Sequence, residues 1–431
     1  MLASPASVRD LVTVALDAMT EAAPAGPVPP GGPAEVATMV GFDPLPEDGV
    51  GDKAALDQLS RVLVAGSVDL THPWCAAHLH GPPLAVAAAA DLVGSILNPS
   101  MDSWDQAPVA SELERVLTTA LAGLFSHADA LITSGGTESN LLGMLLARET
   151  HGPVQPVCGR NAHHSVARAA WLLGLPAPVL VDCAGGRLRV DDLLAVLDRL
   201  DRPAAVFATA GTTDTGAIDP LAEIRAAAPE AWLHVDAAYG GAAVFSDALA
   251  PLLAGIGEAD SVAMDLHKFG WQPIAAGVFT TRRPLTALDV RADYLNAADD
   301  TDAGLPDLLG RSLRTSRRPD AFKIAVTLRA LGRRGMGSLV EDCCRLAADV
   351  ADLVEAHPGL TLWGRPELST VVFRPDRADD EVADIRRRLL ADGTAVLGRA
   401  TVDGQTWLKL TLLRPNGSAA EYAGLLDLVA S

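Results

Sequence analysis

Between residues 128 and 281 the chain alternates short apolar runs with stretches of helical periodicity. A short apolar run next to a helical pattern is typical of a strand buried on both faces, and repeated units of this kind build a mostly parallel sheet with helices on both sides. Ligands of such sheets bind at the carboxyl ends of the strands, so a functional site is expected at that edge. The predicted strands are Ala130–Thr133, Val179–Val181, Ala205–Ala208, Trp232–Val235, Ser261–Met264 and Gly277–Thr281.

Two ionisable residues stand just past predicted strand ends. Asp236 follows the strand at 232–235, and Lys268 comes after the strand at 261–264. Pyridoxal phosphate (PLP) enzymes need a lysine that forms a Schiff base with the cofactor aldehyde and an aspartate that keeps the ring nitrogen protonated. The alternative is structural, with Asp236 capping a helix and Lys268 solvated. Their position at one edge of the sheet favours a shared PLP site.

A pair of glycines lies between a predicted strand and a predicted helix, in "ALITSGGTESNLLG". The unpaired N–H groups and the positive dipole end of a helix N-terminus suit a phosphate group. Gly135 and Gly136 allow the backbone to approach a ligand closely, and Thr137 adds a hydroxyl. Alone, this pattern is an ordinary strand-to-helix turn. Together with Lys268 it predicts the cradle for the PLP phosphate.

Longer motifs carry a family resemblance. The stretches "HVDAAYGG" and "DLHKFGWQP" resemble the aspartate and lysine motifs of the group II PLP-dependent amino-acid decarboxylases. The stretches "AHLHGPP", "NPSMDSWDQAP", "SLRTSRRPDAFK" and "GRATVDGQTWLKLTLL" resemble the bacterial diaminobutyrate and siderophore-type diamine-forming members. The resemblance runs from about Thr71 to the C-terminus. It implies the type I (aspartate aminotransferase-like) α/β fold, with a mostly parallel sheet in a large domain, a small α+β C-terminal domain, and a homodimer.

Three domains are expected. Residues 1–64 form an N-terminal helical segment with a Pro/Gly linker, residues 65–336 the large PLP-binding domain, and residues 337–431 the small C-terminal domain. Outside the sheet region the patterns predict helices at Ser7–Ala23, Lys53–Val64, Asp320–Leu331, Ser338–Ala356, Asp380–Asp392 and Ala419–Leu428, and strands at Thr394–Leu397 and Thr406–Leu412.

The resemblance also implies roles for single residues around the cofactor. His163 matches a histidine that stacks on the PLP ring, and Thr212 matches a residue near the ring face or the phenolic oxygen. His267 is expected to orient the phosphate or to relay protons, and the alternative is a packing role beside Lys268. The predicted cofactor-binding set is Lys268, Asp236, Ala238, His163, Gly135, Gly136, Thr137, Thr212 and His267. Four of these, Lys268, Asp236, His163 and His267, are expected to take part in the chemistry.

The substrate mouth is expected at two loops and one arginine. The resemblance places His78 and His80 in a loop at the mouth; the alternatives are a metal pair, for which no third ligand is near, and a structural loop. Trp104 and Asp105 precede a helix, where Asp105 either pairs with a distal substrate ammonium or caps that helix. Arg318 completes the predicted substrate-binding set.

Further alternatives stay open in this region. In one alternative, Trp104 and Phe269 line an aromatic pocket and the substrate is an aromatic amino acid. The spacing of Ser111 and Glu114 predicts a capping box at the start of the same helix.

One departure from the family concerns the group that protonates the product. Family members that act on aromatic substrates carry a tyrosine on a mobile loop, about nine residues before paired arginines. This chain has Leu308 at that place before Arg317, and Tyr294, at the start of the loop spanning 290–316, matches a different family position. The sequence therefore does not identify the acid that delivers the proton after CO2 leaves.

Composition excludes several classes of function. A formal net charge of −20 argues against nucleic acid and anionic membranes and favours cationic ligands. The sequence has no apolar run of the roughly 18 residues that a membrane span needs. No signal-peptide pattern is present, so a cytoplasmic location is expected. The five cysteines have no metal-site spacing, and no metal is expected.

These patterns predict α-decarboxylation of an L-amino acid, giving an amine and CO2. The expected substrate has a basic side chain, as in diaminobutyrate, ornithine or lysine. The alternatives on the same fold are decarboxylation of an aromatic or other amino acid, decarboxylation-dependent oxidative deamination, and transamination. Two alternatives of other classes are a PLP-binding protein without turnover and a structural protein without PLP.

Overall fold

The computed structural model describes residues 2–24, 26–289, 298–305 and 309–431. The chain divides into two compact units. The smaller comprises Met1–His78, Ala348–Arg365 and Val371–Ser431, and the larger comprises Leu79–Ala347 and Pro366–Thr370. The predicted boundaries at residues 64 and 336 stay predictions. Tyr294 and Leu308 lie outside the described residues.

The larger unit is built on a seven-stranded sheet with the order β1-β9-β8-β7-β6-β2-β3. Strand β9 is antiparallel to both of its neighbours, so β1 points in the same direction as β8, and the remaining pairs are parallel. Its strands are β1 (Asp129–Thr133), β2 (Gln155–Gly159), β3 (Val179–Val181), β6 (Ala204–Thr209), β7 (Trp232–Asp236), β8 (Ser261–Asp265) and β9 (Gly277–Thr281), and β4 (Cys183–Ala184) and β5 (Arg187–Leu188) form a separate antiparallel pair.

All six strands predicted in this region are confirmed, and the α/β class with a mostly parallel sheet is confirmed with them. Strand β2 was missed. Pro156 lies inside it, and a proline within an apolar run argues against a central strand because it cannot donate to the ladder. The parallel pairing with β3 and β6 nevertheless forms around this proline.

The helices are numbered in chain order, and the first five precede β1. They are α1 (Pro5–Glu21), α2 (Pro33–Met39), α3 (Asp52–Ala65), α4 (Ala85–Leu97), α5 (Pro108–Gly123), α6 (Gly136–His151), α7 (Ser165–Leu172), α8 (Val190–Leu197), α9 (Leu221–Ala227), α10 (Ala298–Asp302), α11 (Asp320–Ala356), α12 (Asp379–Ala391) and α13 (Ala423–Ala430). Helix α11 spans both segments predicted as separate helices. They meet at Gly332, whose φ of 66° and ψ of 175° interrupt the helical backbone. Among the described residues, none of the helices is long and apolar enough to cross a membrane.

Helix α6 packs on the sheet and fixes the edge where β1, β7 and β8 end. Leu142 and Met144 of this helix are fully buried in one cluster with Phe207 of β6 and Phe279 of β9. A fully buried apolar side chain contributes roughly 1.5–3 kcal/mol, so a handful of such contacts holds the start of α6 firmly over the strand ends. This start is the turn that contains the paired glycines.

The smaller unit contains a four-stranded sheet with the order β10-β11-β13-β12. Its strands are β10 (Leu360–Leu362), β11 (Thr370–Pro375), β12 (Gly398–Val402) and β13 (Gln405–Thr411). The small C-terminal α+β arrangement is thereby confirmed. The strand predicted at Thr394–Leu397 is wrong, because Val396 makes only an isolated bridge to Cys75 and the ladder with β13 starts at Gly398.

Candidate active site

The carboxyl ends of β1, β6, β7 and β8 surround a cavity of about 390 Å³ in the larger unit. The edge is the one at which parallel sheets bind ligands. The cavity is lined by Leu79, Ser134, Gly135, Gly136, Thr137, His163, Thr209, Gly211, Thr213, Asp236, Ala238, Tyr239, Asp265, His267, Lys268 and Ile274. The structure therefore brings eight of the nine residues predicted to bind the cofactor to one cavity.

Lys268 lies in the turn after β8 and contacts a carboxylate from the end of that strand. Its Nζ is 3.2 Å from Oδ2 of Asp265, and the two side chains are 19% and 3% exposed. Burial raises the pKa of Asp265, and the positive charges of Lys268 and His267 oppose that shift. Sequence reasoning missed Asp265, although it stands three residues before Lys268 in the "DLHKFGW" motif.

Asp236, at the end of β7, is held by two donors. Its Oδ2 accepts a 2.7 Å hydrogen bond from Nδ2 of Asn140, and its Oδ1 accepts a 3.1 Å bond from the backbone N–H of Ala238. Hydrogen bonds to a carboxylate stabilise its ionised form. Asn140, in the second turn of α6, was missed by sequence reasoning, and its spacing of four residues from Gly136 is the signal that places it over the same edge.

Asn140 is itself oriented by a buried histidine. Nε2 of His234 lies 2.8 Å from Oδ1 of Asn140, and Nδ1 of His234 lies 2.8 Å from Oγ of Ser261. Burial lowers the pKa of His234 to about 4, so its ring is neutral at physiological pH. The ring then donates through Nε2 to the Asn140 oxygen, and the Asn140 amide group donates to Asp236 and to Oγ of Ser165.

The position of the His234 ring requires a glycine on α6. A Cβ added at Gly143 would overlap Nδ1, Cγ and Cε1 of that ring. Glycine in the middle of a helix costs about 1 kcal/mol relative to alanine, and here it makes room for the histidine. A series of hydrogen bonds links Ser261, His234, Asn140 and Asp236. This series thus depends on the absence of a side chain at Gly143.

His163 lines the cavity just before α7. Its Nδ1 lies 2.8 Å from Oγ of Ser165, and the same hydroxyl accepts a 2.8 Å bond from Nδ2 of Asn140. Burial lowers the pKa of His163. The network around Asn140 therefore orients this imidazole together with the carboxylate of Asp236.

His267, directly before Lys268, has one ring nitrogen near a carboxylate and one without a partner. Nε2 lies 3.5 Å from Oδ2 of Asp265. Nδ1 is buried and has no hydrogen-bond partner within the part of the chain that the structure describes. Burial lowers the pKa of this histidine, whereas the charge of Asp265 acts in the opposite direction.

The turn into α6 contains two glycines, Gly135 and Gly136, which place no side chain toward the cavity. Gly135 has a φ of 154°, and a Cβ added there would lie 3.1 Å from Cε1 of His267. A Cβ added at Gly136 would lie 2.9 Å from Cβ of Ala238. The backbone N–H of Ser134 donates a 2.7 Å bond to Oε2 of Glu138, which closes the turn. The resulting hollow at a helix N-terminus has the form expected for a phosphate site.

Thr212 is the one predicted cofactor-binding residue that does not line the cavity. Its hydroxyl is buried and lies 2.8 Å from that of Thr215. The neighbouring Thr209 and Thr213 are lining residues instead. The strand-end prediction located the correct turn, but its backbone conformation decides which threonine faces the cavity.

The predicted substrate-binding residues are arranged differently. Among the described residues that line the cavity, Trp104, Asp105 and Arg318 are absent. Asp105 is exposed and accepts a 2.6 Å bond from Oγ of Ser103. It does not cap α5, which starts at Pro108 without a side-chain cap. Arg318 donates to Oδ1 of Asp91 at 3.0 Å.

The two histidines of the predicted mouth loop fall in different units. His80, in the larger unit, is exposed, and its charge contributes to the lowered pKa of His267. His78 belongs to the smaller unit. In the described parts of the chain, no cluster of three or more His, Cys, Asp or Glu side chains is arranged to hold a metal ion.

The capping box predicted at Ser111 and Glu114 is wrong. Helix α5 starts at Pro108, so both residues lie inside the helix and are buried. Glu114 instead forms a two-point ion pair with Arg317, with distances of 3.1 and 2.9 Å and side-chain exposures of 4% and 2%. The pair joins α5 to the segment just before α11.

The model of the pyridoxal-dependent decarboxylase conserved domain matches residues 45–376. The L-2,4-diaminobutyrate decarboxylase of Rhizobium meliloti is 40% identical over 413 residues, covering 90% of this chain and 83% of that protein. The enzyme of the same name from Acinetobacter baumannii is 34% identical over 430 residues, covering 88% and 84%.

Solved structures have the same fold. The glutamate decarboxylase domain of diaminobutyrate-pyruvate transaminase and L-2,4-diaminobutyrate decarboxylase from Vibrio parahaemolyticus matches with a TM-score of 0.86 and 30% identity, covering 99% of this chain and 94% of that one. Mouse CSAD matches with a TM-score of 0.89 and 23% identity, covering 99% and 98%, which shows a common fold.

Proposed function

The chain belongs to the pyridoxal-dependent decarboxylase family, and we propose that it decarboxylates an L-amino acid whose side chain ends in an ammonium group. The substrate class is that of 2,4-diaminobutyrate, with ornithine and lysine as longer members. The observation that carries the proposal is the identity of 40% over 90% of the chain to a relative named L-2,4-diaminobutyrate decarboxylase.

The lining residues fit the cofactor of the family. Bound PLP supplies an aldehyde that captures an amine and a ring that accepts the electron pair left when CO2 departs. The hollow at Gly135 and Gly136 accepts no side chain and stands at a helix N-terminus, as a phosphate requires. The buried and unpartnered Nδ1 of His267 faces the same turn and can donate to an anion.

Three side chains of the cavity receive roles at the aldehyde and the ring of the cofactor. Lys268 would provide the amine that bonds to the cofactor aldehyde. Asp236, fixed by Asn140 and Ala238, keeps the ring nitrogen protonated. His163, fixed through Ser165, provides a flat neutral ring against which the cofactor ring packs.

The phosphate is assigned to the turn formed by residues 134–137 together with His267. Ala238 lies close to this turn, since a Cβ added at Gly136 would lie 2.9 Å from the Ala238 methyl group. The turn at residues 134–137 and Asp236 would together hold the cofactor so that a bound substrate meets Lys268 in a fixed orientation. A fixed orientation is what selects the carboxylate as the leaving group over other bonds at Cα.

The preference for a basic side chain has a physical support besides the relatives. The net charge of −20 attracts cations and raises their encounter rate with the cavity. Pairing of the distal ammonium with Asp105 stays a prediction. Its test is Asp105→Asn, which removes the charge and keeps the shape.

We also propose a homodimer. The larger unit has an apolar groove of about 320 Å³ between α4, α5 and the start of α11. Leu97 and Val109 at this groove are 72% and 79% exposed. Exposed apolar patches of this kind mark interaction sites, and a second copy of the chain is the proposed occupant. Leu97→Asp should therefore yield monomers in sedimentation analysis, and a wild-type chain that sediments as a monomer refutes the dimer. The cytoplasmic location stays a prediction.

The proposed function is tested with a panel of amino acids assayed for CO2 release in the presence of PLP. Diaminobutyrate, ornithine and lysine are compared with phenylalanine, tryptophan and glutamate, and products are identified by mass spectrometry. An amine from a basic substrate supports the proposal. A higher kcat/KM for an aromatic or acidic substrate overturns the substrate class, and an aldehyde or keto acid identifies the oxidative or transaminating reaction. Lys268→Ala is the inactive control.

A further inference from the structure

Two buried polar atoms without partners lie below the turn that leads into α6. They are Oδ1 of Asp265 and Nδ1 of His267, and neither has a hydrogen-bond partner among the described residues. A Cβ added at Gly135 would lie 3.7 Å from Oδ1 of Asp265, and one added at Gly136 would lie 3.4 Å from its Oδ2. The carboxyl group of Asp265 therefore forms the floor of the hollow to which the phosphate is assigned.

An ionised carboxylate is an unfavourable floor for a phosphate site. Both groups are anions that only accept hydrogen bonds, so direct contact gives repulsion without a bond. The side chain of Asp265 is 3% exposed, which leaves no room for it to turn into solvent. A carboxyl group in this place binds a phosphate only if it carries a proton, because it then becomes a donor.

The charges that face Asp265 change when the cofactor is bound. Without it, the Lys268 ammonium at 3.2 Å compensates the carboxylate. His267 adds a weaker favourable contact at 3.5 Å, whereas the negative charge of Asp236 disfavours ionisation. His163 also interacts electrostatically with Asp265, and burial lowers the pKa of its ring.

If the amine of Lys268 were bonded to the cofactor as a neutral imine, the ammonium charge that compensates Asp265 would be lost. The phosphate adds negative charge at the same time. Both changes act in the direction of burial, which already raises the pKa of Asp265.

We propose that Asp265 takes up one proton from solvent when PLP binds and, as a neutral carboxyl group, donates a hydrogen bond from Oδ1 to the phosphate. The proton passes from water to Oδ1, and no bond of the phosphate is made or broken. The inference rests on the proposed placement of the phosphate at residues 134–137. It makes Asp265 a ligand of the cofactor whose protonation is part of the binding equilibrium.

The sign of the pH dependence follows from linkage. The form with cofactor holds one proton more than the free enzyme, so raising the pH favours the free enzyme. Where Asp265 is ionised in the free enzyme and protonated in the complex, the Kd for PLP rises by about tenfold for each pH unit. Asp265→Asn removes this dependence, because the amide of asparagine has the same shape and always donates.

The test is calorimetric titration of the apoenzyme with PLP at pH 7, in two buffers with different ionisation enthalpies. The difference between buffers gives the number of protons taken up. The wild type is expected to take up about one proton more than Asp265→Asn. The ratio of wild-type Kd to variant Kd is expected to grow between pH 7 and pH 9. Asp198→Asn removes an exposed carboxylate and is expected to match the wild type.

Pyridoxal, which has the aldehyde but no phosphate, is titrated as the matched ligand. The proton difference between wild type and Asp265→Asn should shrink with pyridoxal, because the phosphate is the partner of the protonated carboxyl. Asp265→Ala, which cannot donate, should bind PLP more weakly than Asp265→Asn at every pH and take up no extra proton.

Three results overturn the inference. Equal proton counts for wild type and Asp265→Asn show that Asp265 does not change its protonation. An equal proton difference with pyridoxal and PLP shows that the phosphate is not its partner. A variant Asp265→Asn that is folded by circular dichroism and fails to bind PLP at pH 6 shows that the ionised carboxylate is required. Amine production is not read in any of these assays, so they do not depend on the substrate assignment.

Discussion

Replacing Asn140 by leucine should separate the orientation of Asp236 from the stability of the fold. Leucine has the same number of side-chain heavy atoms as asparagine and no polar atoms. The change removes the 2.7 Å bond to Oδ2 of Asp236 and leaves only the 3.1 Å bond from Ala238. It also leaves Nε2 of His234 without its acceptor at 2.8 Å.

The magnitude follows from these two losses. A hydrogen bond to a charged group contributes about 1.5–3 kcal/mol, which corresponds to about tenfold to 150-fold in a rate or equilibrium constant. We therefore expect kcat, measured with PLP saturating, to fall by that factor as Asp236 loses its fixed orientation. The unpaired nitrogen of His234 costs a further ~1–3 kcal/mol of folding free energy.

A second substitution distinguishes function from folding. Phenylalanine at position 234 fits the apolar side of the ring site, next to Phe207 at a centroid distance of 4.8 Å. In the double variant Asn140→Leu/His234→Phe no ring nitrogen is left unpaired, so the free energy of unfolding should recover in part. The kcat should not recover, because Asp236 still lacks its donor.

The assays are urea unfolding of the apoenzyme, the Kd for PLP and kcat at saturating cofactor. Ser261→Ala serves as the control, because it removes the partner of Nδ1 of His234 and leaves the bond from Asn140 to Asp236 in place. The reasoning is refuted if Asn140→Leu has kcat and Kd within twofold of the wild type. It is also refuted if the double variant regains full kcat, since the effect is then one of packing.

Three further predictions concern stability. On an open helix surface, Gly143→Ala would stabilise the protein by about 1 kcal/mol. Here the added methyl group overlaps His234, so we expect the free energy of unfolding in urea to fall by about 1–2 kcal/mol and PLP to bind more weakly. A variant that is more stable than the wild type would contradict this packing. Arg317→Met leaves the carboxylate of Glu114 buried and unpaired, so the free energy of unfolding should fall by about 3–5 kcal/mol. The same substitution at an exposed arginine should lower it by less than about 1 kcal/mol. Burial lowers the pKa of His127 and His234 to about 4, below the unfolded value, so their contribution to stability is present above pH 6.5 and is lost as the pH falls towards 4. Asp219, whose pKa is raised to about 6, offsets one of the two. A net loss of about 1.4 kcal/mol per pH unit is expected, and constant stability between pH 6 and pH 4 contradicts it.

Residues fixed by strand ends could be predicted from the sequence. The apolar runs located the ends of β7 and β8. Asp236 is the last residue of β7, and Lys268 lies three residues past the end of β8. Gly135 and Gly136 were found for a similar reason, since a glycine pair between a strand and a helix restricts the backbone to few forms. In each case a local pattern determines the position, and the parallel sheet brings the positions together.

The partners of these residues could not be predicted in the same way. The contact between Asp265 and Lys268 depends on how the turn after β8 closes, and Asn140 reaches Asp236 only because α6 packs across β7. At the expected substrate mouth, the hydroxyl of Ser103 donates a hydrogen bond to the carboxylate of Asp105. Such local side-chain bonds compete with longer contacts, and sequence spacing does not show which of them forms.

The cavity thus contains two carboxylates in opposite surroundings. Asp236 accepts two hydrogen bonds, which suits an anion that pairs with a protonated ring nitrogen. Asp265 has one oxygen without any donor among the described residues and lies below the turn to which we assign the phosphate. Enzymes assign different protonation states to neighbouring acids through such differences in environment. By this reasoning, exchanging the hydrogen-bonding surroundings of Asp236 and Asp265 would exchange the roles of the two carboxyl groups. A donor supplied to Oδ1 of Asp265 would keep it ionised and expel the phosphate, and a donor removed from Asp236 would weaken its hold on the ring.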